Sequence, residues 1–255
     1  MPQELGNSLI MAVIILWGLC VGSFINVCIC RIPKGESVVF GASHCPRCGE
    51  RIRAADLIPV LSFVLLTGRC RHCGEKISPR YPVVELVNAA AWALFASVYG
   101  ITSETILYCL FFSALLVAAF IDYDTKRVPQ SAVIVILLVG VAALFLSNQP
   151  PFYHRLIGFF AASLPLFIIA MISKGGIGGG DIKLMAACGL VMGWRLILLS
   201  LFLAVLLGGA AAAALLITGK RKRGDTLALA PYLAVGMFVC LLFGEGIIGW
   251  YLSLY

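Results

Sequence analysis

The sequence predicts an all-α polytopic membrane protein, with about eight transmembrane helices and a small cytoplasmic zinc-binding domain of four cysteines. Three observations predict it. The 255 residues are 61% hydrophobic and only 12% charged, with a mean hydropathy of +1.02, whereas a soluble domain averages about 45–50% apolar and about 25% charged. Long apolar stretches recur along the chain without the alternation of barrel strands, so the spans are helices, which satisfy their own backbone polar groups inside a bilayer. Lys and Arg crowd into alternate loops, the charge pattern that orients helices in a membrane.

The first element is a helix within residues 1–30. Residues 6–30 carry no charge over 25 positions, enough to cross a hydrocarbon core about 30 Å thick. It lacks a basic leading region and is too long for a signal-peptide core, so it is expected to be a span and not a cleaved signal. Residues 31–80 form the one sizeable polar domain. Seven further apolar segments follow at 83–101, 105–121, 128–147, 156–173, 182–194, 196–218 and 232–254. The segment at 182–194 falls short of the about 20 residues a span needs. The glycines preceding it suit a broken or re-entrant helix.

Orientation follows from the basic residues. Nine lie in residues 31–80, with Lys126 and Arg127, Lys174 and Lys183, and Lys220, Arg221, Lys222 and Arg223 in three later loops. With eight spans these four loops share one side, and only Arg155 and Arg195 fall on the other. The basic side is cytoplasmic and both termini are outside. The net charge of +7 is therefore topogenic, with anionic lipid heads as the natural contact. Nucleic acid has no part in this reading.

Ten cysteines are present. Cys45 and Cys48 form one C-x-x-C pair, Cys70 and Cys73 another, with 21 residues between them. That doubled spacing reads as a tetrahedral zinc site, and its closed thiolate shell makes the metal structural. Gly49 and Gly74 follow the pairs and suit knuckle turns. The apolar run 57–66 between them is too short to span. It is expected to cover the metal or lie against the membrane. The other six cysteines sit in apolar runs and behave as small hydrophobes.

Two carboxylates carry the chemistry. Asp122, in Phe120-Ile121-Asp122-Tyr123-Asp124, closes the third span. Asp181, in Gly176-Ile177-Gly178-Gly179-Gly180-Asp181-Ile182-Lys183, opens the sixth on the same side. Two carboxyl groups sharing a proton give one base and one acid, the pair needed to drive water onto a peptide carbonyl and protonate the departing nitrogen. Gly178 and Gly180 leave room for a substrate backbone and permit unusual backbone angles, and Lys183 is a candidate for substrate contact. Asp124 points away from Asp122 on a helix. Glu85, at the start of the second span, is a further functional candidate.

At these motifs the chain resembles the type IV prepilin peptidases, an aspartic protease family. Gly22-Ser23-Phe24-Ile25-Asn26-Val27 with Arg31-Ile32-Pro33 is similar to the family's N-terminal motif. Cys45-Pro46-x-Cys48, Ile58-Pro59-x-Leu61-Ser62, Gly68-Arg69-Cys70-x-x-Cys73 and Ile77-Ser78-x-Arg80-Tyr81-Pro82-Val83-Val84-Glu85 are similar to its cysteine domain. Ile121-Asp122 with Val128-Pro129, and Gly176-x-Gly178-x-Gly180-Asp181-x-Lys183-Leu184, are similar to its two catalytic motifs. Gln130 stands where the family commonly has an acid, Leu57 where it often has Asn, and residues 227–230 are off-pattern.

The resemblance implies a bacterial inner-membrane enzyme. It would cut the short basic leader of prepilins or type II secretion pseudopilins after a glycine on the cytoplasmic side. It would then methylate the new N-terminus from S-adenosylmethionine. On that reading residues 1–30 are the first transmembrane helix, 31–80 the cytoplasmic zinc domain and 81–255 the transmembrane aspartic peptidase domain. No adenosylmethionine fingerprint is present.

Two other readings are weaker. A presenilin-type intramembrane protease shares Gly-x-Gly-Asp, but no Pro-Ala-Leu motif is present and the cysteine domain goes unexplained. A non-enzymatic secretion-system component or a transporter would place acids deep within spans, and here most lie at span ends. A zinc metalloprotease lacks its H-E-x-x-H, with His44, His72 and His154 scattered.

Overall fold

The computed structural model describes residues 2–147, 149–173, 176–219 and 227–254. They are helical with no strands, apart from isolated bridges in the cysteine module. The helices are α1 (Pro2–Arg31), α2 (Leu61–Leu65), α3 (Arg80–Tyr99), α4 (Ser103–Thr125), α5 (Gln130–Leu146), α6 (Phe152–Ala161), α7 (Ser163–Ile172), α8 (Gly179–Ile217) and α9 (Ala230–Leu252). Two compact units emerge, Met1–Ile101 and Thr102–Tyr255. Lys174 and Lys220, Arg221, Lys222 and Arg223, on which part of the expected orientation rests, lie outside the described residues.

Among the described residues six helical stretches are long and apolar enough to cross a membrane, and Gln130–Leu146 is a shorter apolar helix. The eight apolar segments map onto these because the chain breaks and joins helices at small residues. The fifth segment lies on α6 and α7, which meet at Ala162. The sixth and seventh run together as α8, interrupted at Gly193, whose φ of 75° and ψ of 170° are essentially restricted to glycine. The break falls at the glycine and not at Arg195, because only a residue without Cβ tolerates that backbone.

In the first unit, α1 and α3 pack almost backbone to backbone. A methyl added to Gly18 would lie 2.8 Å from Ala89 Cα, and one on Gly22 2.6 Å from Glu85 Cα. Small residues four apart create this approach, as in membrane helix pairs generally. Buried asparagines lock it: Asn88 Nδ2 donates to Gly18 O (2.8 Å) and Asn26 Nδ2 to Tyr81 O (3.0 Å).

In the second unit, α4 is the most enclosed span, with Phe111, Leu115 and Ala118 fully buried. On α6 and α8, Gly158 and Gly189 touch so closely that a methyl on either would overlap the other's backbone. On α9, Gly236 sits where a Cβ would meet Ser200 O at 2.7 Å.

Candidate active site

Asp122 is placed by the last turns of α4 and is 4% exposed. The chain leaves the helix at once: Lys126 takes a left-handed conformation (φ 57°) and donates its N–H to Asp122 O at 2.8 Å. The Asp122 carboxylate reaches the start of α9, where Oδ2 accepts the N–H of Ala230 at 3.0 Å. The first N–H groups of a helix lack intrahelical acceptors, and the adjoining Leu229 supplies no side-chain cap. Asp122 therefore caps α9 from another helix. Asp124 is exposed, as its helical spacing requires.

Asp181 lies in the first turn of α8, where the helix dipole favours a negative group. Its N–H donates to Gly178 O at 3.0 Å. The glycines serve space more than conformation. Gly178 is ordinary extended backbone (φ −68°, ψ 135°), but a Cβ there would stand 3.0 Å from Asp181 Oδ2. A Cβ on Gly180 would stand 3.0 Å from Val128 Cβ. Gly180 thus lets the head of α8 close on the loop six residues beyond Asp122. The charge of Asp122 is felt at Asp181. Asp181 Oδ1 is buried and accepts no hydrogen bond among the described residues. A buried polar atom without a partner calls for an explanation, and it makes Asp181 Oδ1 a candidate acceptor for a water or substrate group. Lys183 is exposed.

Glu85 is buried in the first unit, and its Oε2 accepts the N–H of Val60 at 2.8 Å. The sequence marked it for function, and the structure gives it a bond that holds α2.

The cysteine module repeats one design twice. Cys45 N donates to Glu50 O (2.9 Å) and Gly49 N to Cys45 O (2.9 Å); Cys70 N donates to Glu75 O (2.8 Å) and Gly74 N to Cys70 O (3.0 Å). Gly49 and Gly74 both have positive φ, at 72° and 69°, so each turn requires its glycine. The Sγ atoms of Cys45, Cys48, Cys70 and Cys73 lie within 4.8 Å of one another, and those of Cys45 and Cys73 are 3.9 Å apart. A tetrahedral ion with metal–sulfur bonds of about 2.3 Å separates its sulfurs by about 3.8 Å, so the cluster fits a metal ion.

The thiols are electrostatically unequal. Backbone N–H groups of Cys48 and Arg47 pull Cys45 down to about 7. At Cys73 the N–H of Glu75 pulls the same way, but desolvation and the neighbouring thiols outweigh it and push the group up to about 11. A cation at the centre would relieve this crowding of potential negative charges. The run 57–66 forms a turn and α2, and Leu61, Val64 and Leu65 on α2 are exposed.

Sequence reasoning missed Arg155, which it used only as an outside loop charge. Arg155 is 1% exposed. It donates to Pro150 O (3.0 Å), Gln149 O (2.7 Å), Ser147 Oγ (2.9 Å), Leu190 O (3.3 Å) and Val191 O (2.6 Å). It thereby pins the α5–α6 connection to the end of the first half of α8, just before the Gly193 break. The available signal was a basic residue at the edge of an apolar segment.

Comparison with known proteins follows the same division. Residues 16–99 match the bacterial peptidase A24 N-terminal domain, and residues 109–213 match the type IV leader peptidase family. A prepilin leader peptidase/N-methyltransferase of Bacillus subtilis (strain 168) is 36% identical, over 96% of this chain and 98% of its own. One of Pseudomonas aeruginosa is 31% identical, over 94% and 92%, and one of Aeromonas salmonicida (strain A449) is 30% identical, over 96% and 94%. No solved structure matches the chain.

Proposed function

The chain belongs to the type IV leader peptidase family, and from that membership we propose a membrane aspartic endopeptidase that removes the short basic leader of type IV prepilins or type II pseudopilins. Cleavage follows a glycine, and Asp122 and Asp181 are the catalytic pair. The observation that carries the reading is the unsatisfied Asp181 Oδ1, buried beside the charge of Asp122 at the mouth of a glycine run.

In this mechanism the pair holds one proton. The attacking water sits at Asp181 Oδ1. The ionised member of the pair takes a proton from the water as it adds to the scissile carbonyl, and the protonated member gives one to the departing nitrogen. Either assignment leaves the pair with one proton after the cycle, and its titration belongs to both residues together. Gly178 and Gly180 keep side chains out of the path of the substrate backbone, and exposed Lys183 is a contact for substrate. In this reading the site faces the cytoplasm from a bacterial inner membrane, and the distribution of basic loops in the sequence supports that orientation.

The same enzyme methylates the new N-terminus, with S-adenosylmethionine as the source of the methyl group. No residue is assigned to that donor. Cys45, Cys48, Cys70 and Cys73 would hold a structural zinc ion, whose closed shell adds folding energy and leaves no open position for catalysis. Residues 31–80 act as the zinc domain and 81–255 as the peptidase domain, with membrane lipids around both.

Mass spectrometry of a prepilin peptide incubated with the protein and S-adenosylmethionine tests the reading. Expected is cleavage after glycine with an added methyl mass, and no cleavage with Asp122→Asn or Asp181→Asn. Processing by either variant would remove the dyad. Cleavage without added mass would remove the transferase alone.

A further inference from the structure

We propose that the cysteine module is seated on the membrane by two apolar prongs, each tied to a spanning helix by one charged side chain. The surface that covers them is the phospholipid interface.

The first prong is the tip of the loop after α1. Val39 and Phe40 are 75% and 80% exposed, and their N–H groups both reach Ser37 Oγ, at 3.3 and 3.1 Å. The loop is folded by Arg31. Its Nη1 donates to Ser37 O (2.9 Å) and Phe40 O (3.1 Å), and its Nη2 to Gly41 O (3.1 Å) and Ala42 O (3.1 Å). Arg31 is the first charge after the uncharged residues 6–30, so the guanidinium marks the edge of the hydrocarbon. The carbonyls it grips hold Val39 and Phe40 at that level.

The second prong is α2, on which Leu61, Val64 and Leu65 are 51%, 64% and 71% exposed. It is tied to α3 at its start, where the Glu85 carboxylate accepts the N–H of Val60 at 2.8 Å. Val60 has φ 59° and ψ −49°, a conformation that a β-branched residue avoids and that persists only when its surroundings impose it. Glu85 lies in the second turn of α3, near the same end. There Tyr81 O accepts from Asn26 of α1, so both tethers stand where the two helices leave the bilayer.

The chemistry of this face suits lipid. Residues 31–80 carry nine Lys and Arg against four acids, and such a basic excess draws a surface to anionic headgroups. Apolar side chains then enter the headgroup–acyl boundary, as in interfacial helices. Because each prong is fixed to a spanning helix, contact with the bilayer requires no substrate.

The test introduces Phe40→Trp and Leu65→Trp separately, both at exposed positions. The full chain goes into phosphatidylglycerol-containing vesicles with brominated acyl chains. The parent spectrum is subtracted for Trp17, Trp92, Trp194 and Trp250. Expected is that both added indoles are quenched by shallow bromines and shielded from aqueous acrylamide. Arg31→Lys retains the charge but not the four-carbonyl fork, and it abolishes bromolipid quenching at position 40. Glu85→Ala abolishes it at position 65 and not at position 40, and Glu85→Gln preserves both. Acrylamide quenching with no effect of bromolipid would overturn the proposal. Shielding that appears only on adding a leader peptide would make the prongs a substrate contact and overturn it equally. Lipid quenching at one position alone would overturn the two-point seat. Quenching indifferent to Arg31→Lys and Glu85→Ala would overturn the tethers.

Discussion

Asp122 caps a helix in this structure and is a catalytic residue in the proposed mechanism, and substitution can separate the two roles. Its Oδ2 accepts the Ala230 N–H at 3.0 Å, at the start of α9. Asp122→Asn keeps an oxygen for that bond, and Asn caps a helix about as well as Asp, so the variant should unfold where the parent does. Asp122→Ala removes the acceptor. Loss of a cap costs about 0.5–2 kcal/mol, and leaving a buried N–H unpaired costs about 1–3 kcal/mol. The two figures describe the same group, so the expected loss is about 1–3 kcal/mol. Both variants lack the titrating carboxyl, and a positioned acid or base contributes about 10²–10⁴ in rate.

Cleavage of a prepilin peptide and thermal unfolding in one detergent therefore give a two-way pattern. Activity is lost in both variants, and stability is lost only in the alanine. Asp122→Asn cleaving within tenfold of the parent would refute the catalytic role. It would also direct attention to Asp124, whose own Asp124→Asn change is expected to leave cleavage intact because the side chain is exposed. Equal destabilisation by Asn and Ala would refute the capping argument.

Other outcomes follow from other parts of the molecule. Arg155→Met strips donors from four carbonyls and the Ser147 hydroxyl. With about 1–3 kcal/mol for each buried acceptor left unpaired, less the relief of desolvating a charge, a net loss of several kcal/mol is expected as a lowered unfolding temperature. Removing metal with a chelator should expose residues 31–80 to protease while the helical circular dichroism of the membrane spans persists. Zinc affinity should weaken as pH falls, because protons such as that on Cys73, pushed up to about 11, must leave before the metal binds. Asp56 is held below the ordinary carboxylate range, first by its hydrogen bond from Arg71. A depressed folded value means a stabilising effect present above the unfolded pKa and lost as pH falls through the folded one. Acid titration of the module should therefore show a shallower limb in Asp56→Asn.

The sequence made visible what depends on composition and spacing. The Cys-x-x-Cys pairs sit in the four-sulfur cluster their spacing demanded, and the charge of Asp122 is felt at Asp181. What stayed hidden depends on partners far along the chain. Nothing near Asp122 in sequence announces that it caps a helix 108 positions away. Arg155 looked topogenic because its acceptors are mostly backbone carbonyls, which have no signature in sequence. The glycine run was legible as close approach, but for a reason other than unusual φ: Gly178 and Gly180 have ordinary angles, and what they lack is the Cβ that would strike Asp181 and Val128. Gly193 shows the reverse case, in which conformation is the reason. Nothing in its one-letter code distinguishes the two uses.

The two aspartates share a further property that bears on how such a pair can work. Among the described residues, neither is given a bonded cation. Lys126 acts on Asp122 through its charge, but its Nζ donates to Tyr123 O at 2.9 Å. Asp122 is instead stabilised by the first N–H of α9, and Asp181 stands in the first turn of α8. Two helix N-termini thus offset the gathering of two carboxyls in apolar surroundings, each contributing a fraction of a unit charge. A bidentate arginine would hold either carboxylate so firmly ionised that no proton could be shared. A helix terminus favours the negative form without committing the pair to two charges. The proposed mechanism needs that freedom, since it has one proton move between the groups so that one acts as base while the other acts as acid.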